Sequence, residues 1–449
     1  MSQIQVKNTS DKVSLLIVGN GMATGRLLDE ILKRDPNKYQ ITVIGEEADG
    51  SYNRIMLSSV LAGEASYDDI IQKPHQWYKQ NNITFISNAL VTSIQPEAKT
   101  VSLAIKEATL TTDPIPEKVS YDQLVLAVGS RSAKIPAKNQ NLKGIFGFRN
   151  MKDTKNIQRY AGDVKTGSVE KNAVVIGGGL LGLEAAYGLA VHGVKVTLIH
   201  RNRWLLNRQL DEVAGNMLQK IMETKNIRFV LGQEVVRFDQ KETQVSAEEQ
   251  ATEQVTQVQA TLCGAELANG EYLKVDMAVI ATGITPNKEL AHSANIEENR
   301  AIIVDDYMQT SNSNISALGE CCEHKNATFG LVDPIWVQCE TLAERLCSEQ
   351  FKAFKNSPVP TKLKVSGVQL FSAGVVESAS DTRTYVIKDK KAAIYRKLIV
   401  KEGVIVGIVL FGDVGSGMTY FDLMQTKQNI SAHLPELLIG HEFSSLTAA

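Results

Sequence analysis

The chain has 449 residues, which is too long for one ordinary hydrophobic core and indicates two or three domains. Its formal net charge of −2 gives no electrostatic case for binding nucleic acid or an anionic membrane. Residues 1–12 do not resemble a secretory signal, and no apolar stretch approaches transmembrane length, so we expect a cytoplasmic protein without a membrane partner.

The first predicted elements form a βαβ unit of the size that binds a mononucleotide. Val13–Val18 is an apolar strand, Gly19–Gly21 is a turn, Ala23–Lys33 is a helix, and Tyr39–Ile44 is the next strand. Glu46 follows that strand, where a carboxylate can accept hydrogen bonds from a ribose diol. The alternative is a structural glycine turn followed by a solvated acid.

The glycines of this turn have separate expected functions. Gly19 permits the tight bend, and Gly21 lets the backbone approach a pyrophosphate at the positive end of the helix. Thr24 occupies the third glycine position and is followed by Gly25, so we expect slightly different packing between helix and strand. Later in the chain, Tyr121–Val128 is another apolar strand.

A second βαβ unit carries a complete GxGxxG motif. It consists of strand Ala173–Ile176, turn Gly177–Gly182, helix Leu181–His192 and strand Lys195–His200. Glu184 follows the motif, and the next two residues are alanines that let the helix lie close to the sheet. Two such turns predict two bound dinucleotides, and the simplest chemical reason to hold two is to pass a hydride between them.

The second unit ends in basic rather than acidic residues, His200-Arg201-Asn202-Arg203. An acid at this place binds the 2′-hydroxyl of NAD, whereas arginine can pair with a 2′-phosphate. We therefore expect NADPH to be accepted at least as well as NADH. A solvated basic loop is the alternative.

The rest of the chain predicts β structure with one linker. Gln240–Gln259 is expected to form an exposed hairpin or meander, and Lys355–Lys364 is expected to be a linker. Val275–Ile280 is a predicted strand that precedes Gly283. A small α+β domain is expected to follow the linker, and its predicted strands are Val368–Val376, Thr384–Ile387, Ala392–Val400 and Val404–Phe411.

The cysteines do not form a metal or disulfide motif. The first 262 residues contain none, and no CxxC or ferredoxin spacing occurs. We expect buried, inert thiols and no metal. The five are Cys263, Cys321, Cys322, Cys339 and Cys347.

The two turns, together with the segments 126–132 (LAVGSRS), 281–287 (ATGITPN) and 315–322 (ISALGECC), resemble the two-dinucleotide flavoprotein reductases. The resemblance implies two Rossmann-like, glutathione-reductase-like α/β domains. The first would hold FAD and the second, inserted one would hold NAD(P)H. The expected boundaries are 1–135 and 284–356 for the FAD domain, 136–283 for the NAD(P)H domain, and 357–449 for the C-terminal domain.

The resemblance also assigns residues. Glu320 matches the late acidic residue that contacts the FAD ribityl chain, Arg54 and Ser58 match residues along the FAD pyrophosphate, and Ser59 replaces a Lys expected to pair with Glu184. Glu184 is the only catalytic candidate. The expected cofactor-binding residues are Gly19, Asn20, Gly21, Met22, Ala23, Glu46, Arg54, Ser58, Val91, Ala127, Gly129, Arg131, Gly177, Gly179, Leu180, Leu181, Gly182, His200, Arg201, Gly283, Gly319, Glu320 and Pro334.

A closer likeness, carried by segments such as 52–64 (YNRIMLSSVLAGE) and 410–424 (LFGDVGSGMTYFDLM), is to the flavoprotein half of assimilatory nitrite reductase large subunits and to electron-transfer subunits of assimilatory nitrate reductase. It implies an FAD-dependent NAD(P)H:acceptor oxidoreductase that passes electrons to a separate nitrate or nitrite reductase subunit. A ferredoxin or rubredoxin reductase with an iron–sulfur acceptor is the alternative. A flavoprotein without enzymatic activity is a third possibility, which the intact motifs argue against.

Overall fold

A computed structural model describes residues 12–105, 116–162, 171–245, 257–365 and 367–439. The strands, in chain order, are β1 (Val13–Val18), β2 (Tyr39–Ile44), β3 (Ser51–Tyr52), β4 (Ile71–Lys73), β5 (Thr84–Ile86), β6 (Ala89–Gln95), β7 (Thr100–Ile105), β8 (Lys118–Ser120), β9 (Gln123–Leu126), β10 (Ser130–Ser132), β11 (Ile145–Gly147), β12 (Asn172–Ile176), β13 (Lys195–His200), β14 (Ile227–Leu231), β15 (Val235–Val245), β16 (Gln257–Leu267), β17 (Tyr272–Lys274), β18 (Met277–Ile280), β19 (Ile284–Pro286), β20 (Ile302–Ile303), β21 (Ile315–Ala317), β22 (Cys322–His324), β23 (Ala327–Thr328), β24 (Thr361–Val365), β25 (Val368–Gly374), β26 (Arg383–Asp389), β27 (Ile394–Lys401) and β28 (Val404–Phe411). The α-helices are α1 (Met22–Arg34), α2 (Leu57–Ala62), α3 (His75–Gln80), α4 (Met151–Ala161), α5 (Leu180–Val191), α6 (Glu212–Glu223), α7 (Glu289–Ser293), α8 (Val332–Cys347), α9 (Gly417–Gln425) and α10 (Leu434–Ile439).

The chain divides into two compact units. The first unit comprises Met1–Met56, Ala65–Arg131 and Ile284–Ser357. The second comprises Leu57–Glu64, Ser132–Gly283 and Pro358–Ala449. None of the helices in the described part of the chain is both long and apolar enough to cross a membrane.

The first unit is built on a five-stranded sheet in which every neighbouring pair is parallel. The strand order is β21-β9-β1-β2-β5. The central strand β1 is buried over Leu15–Val18, as expected for a parallel strand covered on both faces. Helices α1 and α8 contribute Leu27, Leu28 and Leu342 to the same hydrophobic core.

The second unit repeats this plan. Its parallel sheet has the order β11-β18-β12-β13-β14, with β12 in the central place that β1 holds in the first unit. In each unit a three-stranded antiparallel sheet, β6-β7-β8 or β15-β16-β17, precedes the strand that lies beside the central one. The predicted duplication and α/β fold are thereby confirmed. The meander expected over Gln240–Gln259 is found in β15 and β16, while 246–256 lie outside the described residues.

The C-terminal part of the second unit is a five-stranded antiparallel sheet with helices α9 and α10, as predicted. Its order is β24-β25-β28-β27-β26. The prediction of a linker over Lys355–Lys364 is wrong in its second half, because β24 begins at Thr361 and pairs with β25. Pro358 and Pro360 suggested a linker, but the alternating residues that follow them suit a strand.

Candidate dinucleotide-binding sites

The first glycine of each turn lies against the backbone of a neighbouring strand end. Gly19 and Gly177 have φ angles of 103° and 122°, which are strained for residues with a side chain. A Cβ atom on Gly19 would lie 2.2 Å from the carbonyl oxygen of Ala127, and one on Gly177 would lie 2.3 Å from that of Ala281. Both positions therefore require glycine.

The second glycine of each turn borders open space at the start of a helix. Gly21 and Gly179 are the N-cap residues of α1 and α5, and neither helix has a side-chain cap. A Cβ atom on Gly179 would meet no atom within 4 Å, and one on Gly21 would meet only Nε of Arg54 at 4.0 Å. Space in front of backbone N–H groups at a helix N-terminus fits a pyrophosphate. Met22 and Ala23 open α1, and their equivalents in α5 are the residues directly after Gly179.

The third glycine position of the motif holds different residues in the two turns, but in both it lies against the carbonyl oxygen of the first glycine. A Cβ atom on Gly182 would lie 1.9 Å from the carbonyl oxygen of Gly177, so α5 passes that oxygen closely. In the first turn, the buried Thr24 donates a hydrogen bond from Oγ1 to the carbonyl oxygen of Gly19 at 2.7 Å. A hydroxyl thus occupies the place of the missing glycine. Leu180 and Leu181 begin α5 in the second turn.

Two buried amide donors in the first unit have no partner among the described residues. Asn20 accepts a hydrogen bond on Oδ1 from the Tyr78 hydroxyl at 2.7 Å, whereas its Nδ2 is unpaired. Gln338 accepts on Oε1 from the Gly319 N–H at 2.8 Å, and its Nε2 is likewise unpaired. Because buried polar groups normally have partners, unpaired donors at this site fit a bound group rich in acceptors.

Glu46, the acid expected to bind the ribose diol, is exposed after β2. Its neighbour Glu47 pairs with Arg54 and accepts a hydrogen bond from the Tyr52 hydroxyl at 2.7 Å. Burial opposes the charge of Arg54, but Glu47, Tyr52 and Glu320 together raise its pKa. The guanidinium group beside Gly21 is therefore held in its charged form, which suits a phosphate.

Two distant segments of the first unit meet near the start of α1. Gly319 has a φ angle of 88°, and a Cβ atom there would meet only the side chain of Ala23, at 3.4 Å. The next residue, Glu320, accepts a hydrogen bond from the Ser130 hydroxyl at 2.6 Å. The structure thus places Gly319, and with it Glu320, beside the start of α1. It adds Ser130, which no local signal indicated.

Five further predicted cofactor-binding residues lie in open, ion-paired or buried surroundings. Gly129 and Gly283 follow equivalent strands, have positive φ angles and border open space. Arg131 donates to Asn287 Oδ1 at 3.0 Å and pairs with Glu289. Two further predicted residues are Val91, buried in the core on β6, and Pro334, in the first turn of α8.

Glu184 has a hydroxyl partner within the second unit. It lies on α5 and accepts a hydrogen bond from Ser58 of α2. Burial raises the pKa of Glu184 to about 7, although the Ser58 bond opposes the rise. Ser58 was predicted to lie along the FAD pyrophosphate, and this structure shows its bond to Glu184.

His200 and Arg201 follow β13 in different environments. His200 is buried, its Nδ1 accepts a hydrogen bond from the Gly178 N–H at 3.1 Å, and burial lowers its pKa. A neutral imidazole therefore supports the second turn itself. Arg201 and Arg203 are exposed, and neither forms an ion pair with another described residue, so both guanidinium groups are accessible to an anion.

The cysteines are buried or partly buried free thiols. Burial raises the pKa of Cys321 to about 11 and that of Cys322 well above its usual value. Such thiols are poor nucleophiles, because the thiolate is the reactive form. In the described ranges of the chain, no group of three or more His, Cys, Asp or Glu side chains is arranged to hold a metal ion.

Known relatives resemble the chain over nearly its whole length. It is 38% identical over 420 residues to a nitrite reductase [NAD(P)H] of Bacillus subtilis, covering 94% of this chain and 48% of that protein. It is 35% identical to the assimilatory nitrate reductase electron transfer subunit of Bacillus subtilis, covering 94% and 50%. The chain therefore spans about half the length of these curated relatives. The resemblance to this group, predicted from the sequence, is confirmed.

Solved structures and family models agree with the fold. The crystal structure of NADH:rubredoxin oxidoreductase from Clostridium acetobutylicum has a TM-score of 0.71 at 24% identity and covers 97% of this chain and 98% of its own. Residues 358–428 match the rubredoxin NAD+ reductase C-terminal domain. Residues 13–338 match the model of the pyridine nucleotide-disulphide oxidoreductases. The chain belongs to the pyridine nucleotide-disulphide oxidoreductase family.

Proposed function

We propose that this protein oxidises NAD(P)H through bound FAD and passes the electrons to a separate redox protein of nitrate or nitrite assimilation. FAD would occupy the first turn, in residues 1–135 and 284–356, and NAD(P)H the second, in residues 136–283. The proposal is supported by relatives named as a nitrite reductase and as an electron transfer subunit.

One observation carries the proposal: the chain repeats an open space in front of a glycine at a helix N-terminus, here called a cradle. Gly21 and Gly179 each border open space at a helix N-terminus, in two sheets of equivalent strand order. The first cradle adds the charged Arg54 and the unpaired amide of Asn20, which suit a tightly held cofactor. The second cradle adds the exposed Arg201, which suits a coenzyme that binds and dissociates in each catalytic cycle.

The residues of the chain have binding and positioning functions. Arg54 and the α1 N-terminus would hold the FAD pyrophosphate, and Glu320, fixed by Ser130, would contact the ribityl chain. The α5 N-terminus would hold the pyrophosphate of NAD(P)H. When bound, FAD supplies the chemistry, because it accepts a hydride and can release electrons one at a time.

Two glycine variants test the assignment of the cradles. Gly21 and Gly179 have φ angles of −82° and −81°, so alanine fits either backbone without strain. Each new methyl group would instead enter the space assigned to a pyrophosphate. Gly179→Ala should keep its FAD but need at least about tenfold more NAD(P)H for half-maximal flavin reduction. Gly21→Ala should purify with less FAD.

Anaerobic stopped-flow bleaching of the flavin and FAD content per chain are the measurements. Gly415→Ala is the matched control, because its Cβ would meet only Asp413 Oδ1 at 3.5 Å. The proposal fails if neither NADH nor NADPH bleaches the wild-type flavin. The assignment of the cradles fails if Gly179→Ala loses FAD while its response to NAD(P)H is unchanged.

A second candidate acceptor is a small iron–sulfur protein. The match of residues 358–428 to the rubredoxin NAD+ reductase C-terminal domain supports this alternative. Purification of the untagged complex followed by metal analysis separates the two. A molybdenum- or sirohaem-containing partner supports the nitrogen assimilation proposal, whereas a small iron–sulfur protein alone supports the alternative.

A further inference from the structure

The segment between β13 and α6, residues 201–210, is here called the ribose loop, and it is attached to the second turn. The N–H of Leu206 donates to the carbonyl oxygen of Gly178 at 2.9 Å. Asn207 accepts on Oδ1 from Asn202 at 3.1 Å and lies 3.3 Å from Nε2 of His200. The loop that carries Arg201 is therefore connected to the proposed coenzyme site at one end.

The other end of the ribose loop is attached to the C-terminal sheet. Asp211 follows the loop directly and caps α6 by accepting from the Ala214 N–H at 3.0 Å. Its second carboxylate oxygen accepts from the Tyr395 hydroxyl at 2.6 Å and from Nζ of Lys397 at 2.9 Å. Lys397 also donates to the carbonyl oxygen of Val376 at 2.8 Å.

This contact is buried, and each of its three side chains is hydrogen-bonded. Asp211, Tyr395 and Lys397 are 4%, 2% and 6% exposed. A desolvated and hydrogen-bonded ion pair has a restricted geometry, and removal of either partner leaves the other charge buried and unpaired. Asp211 precedes Tyr395 by 184 positions and Lys397 by 186 positions. The end of the ribose loop is therefore held against strand β27.

We propose that the C-terminal sheet, through Tyr395 and Lys397, positions the ribose loop and thereby sets the selectivity between NADPH and NADH. This inference rests on the proposed function, in which the second turn binds NAD(P)H and Arg201 contacts the 2′-phosphate. Tyr395 and Lys397 are positioning residues, because they act on the coenzyme through Asp211.

Two variants of the contact test the proposal. Tyr395→Phe removes one hydroxyl, and Lys397→Met removes the cation while keeping an aliphatic side chain. We expect the ratio of kcat/KM for NADPH to kcat/KM for NADH to fall at least about fivefold, through KM for NADPH, while kcat changes little. The measurement is steady-state reduction of ferricyanide by the holoenzyme with each coenzyme.

Matched controls and a double variant separate positioning from general destabilisation. Tyr385→Phe on the neighbouring strand β26 and Lys401→Met at the far end of β27 alter the same sheet away from Asp211, and they should leave the ratio unchanged. A loss of folded protein lowers both coenzyme rates equally and does not move the ratio. In an Arg201→Ala background, Tyr395→Phe should no longer change the ratio, because the selective contact is already absent.

An unchanged ratio in Tyr395→Phe overturns the inference, whatever the fate of Lys397→Met. A wild-type enzyme that cannot use NADPH also overturns it, because the ribose loop would then hold no 2′-phosphate. By contrast, failure of both coenzymes to reduce the wild-type flavin contradicts the proposed function itself, so the two failures are distinguishable.

Discussion

At the scale of single residues, Glu184 shows how burial without a cation changes a carboxyl group. Its partner is the Ser58 hydroxyl, and burial raises its pKa from 4.5 to about 7. The folded protein therefore keeps a proton on Glu184 at pH 6, where the unfolded chain has lost it. The cost of ionising the buried group is absent below about pH 4.5 and grows as the pH rises through 7.

Glu184→Gln should consequently stabilise the protein at pH 8 but have little effect at pH 4. We expect the free energy of unfolding to rise by about 1–2 kcal/mol at pH 8, after allowance for partial solvent screening. Urea denaturation at the two pH values measures the difference. The exposed Glu242→Gln serves as the control. Equal effects of Glu184→Gln at both pH values would contradict the shifted pKa.

At the scale of elements, helices α1 and α5 both pass close to the carbonyl oxygen of the first glycine in the preceding turn, but different residues make this contact possible. In α5, Gly182 lets the helix pass the carbonyl oxygen of Gly177, and in α1, the hydroxyl of Thr24 donates to the corresponding oxygen of Gly19. The sequence showed the substitution but not its compensation, because a side-chain hydrogen bond across a turn leaves no periodic signal.

Thr24→Val keeps the shape of the side chain and removes this hydrogen bond. The carbonyl oxygen of Gly19 loses its buried donor, so we expect unfolding to require about 1–2 kcal/mol less free energy. Thr24→Ser, which keeps the hydroxyl, should be closer to wild type. Denaturation of the purified variants in urea tests this, and a Val variant as stable as the Ser variant would show that the bond contributes nothing.

At the scale of the whole molecule, the family name includes disulphide reduction, but the one pair of adjacent cysteines in this chain is unsuited to it. The first 262 residues lack cysteine, and Cys321 and Cys322 are fully buried with raised pKa values. Reactive thiols need a stabilised thiolate and access to a partner. The electrons therefore leave the flavin, in our proposal, for another protein.

A double variant, Cys321→Ala with Cys322→Ala, should retain flavin reduction by NAD(P)H within about twofold, because neither thiol takes part. Single-turnover bleaching measures the rate, and the thermal midpoint reports the small cavities that alanine leaves. Loss of electron transfer to ferricyanide in a variant that still binds FAD and folds would show that these thiols carry electrons.

The sequence by itself determined the two glycine turns, the strands beside them and the absence of early cysteines, because each is a local pattern of residue types. β1, β2 and β13 begin and end where their apolar runs predicted. The tertiary structure alone decided the pairs Glu320 with Ser130, Glu184 with Ser58, and Asp211 with Lys397. These contacts join segments more than 100 residues apart, so only the packing of sheets and helices brings them together.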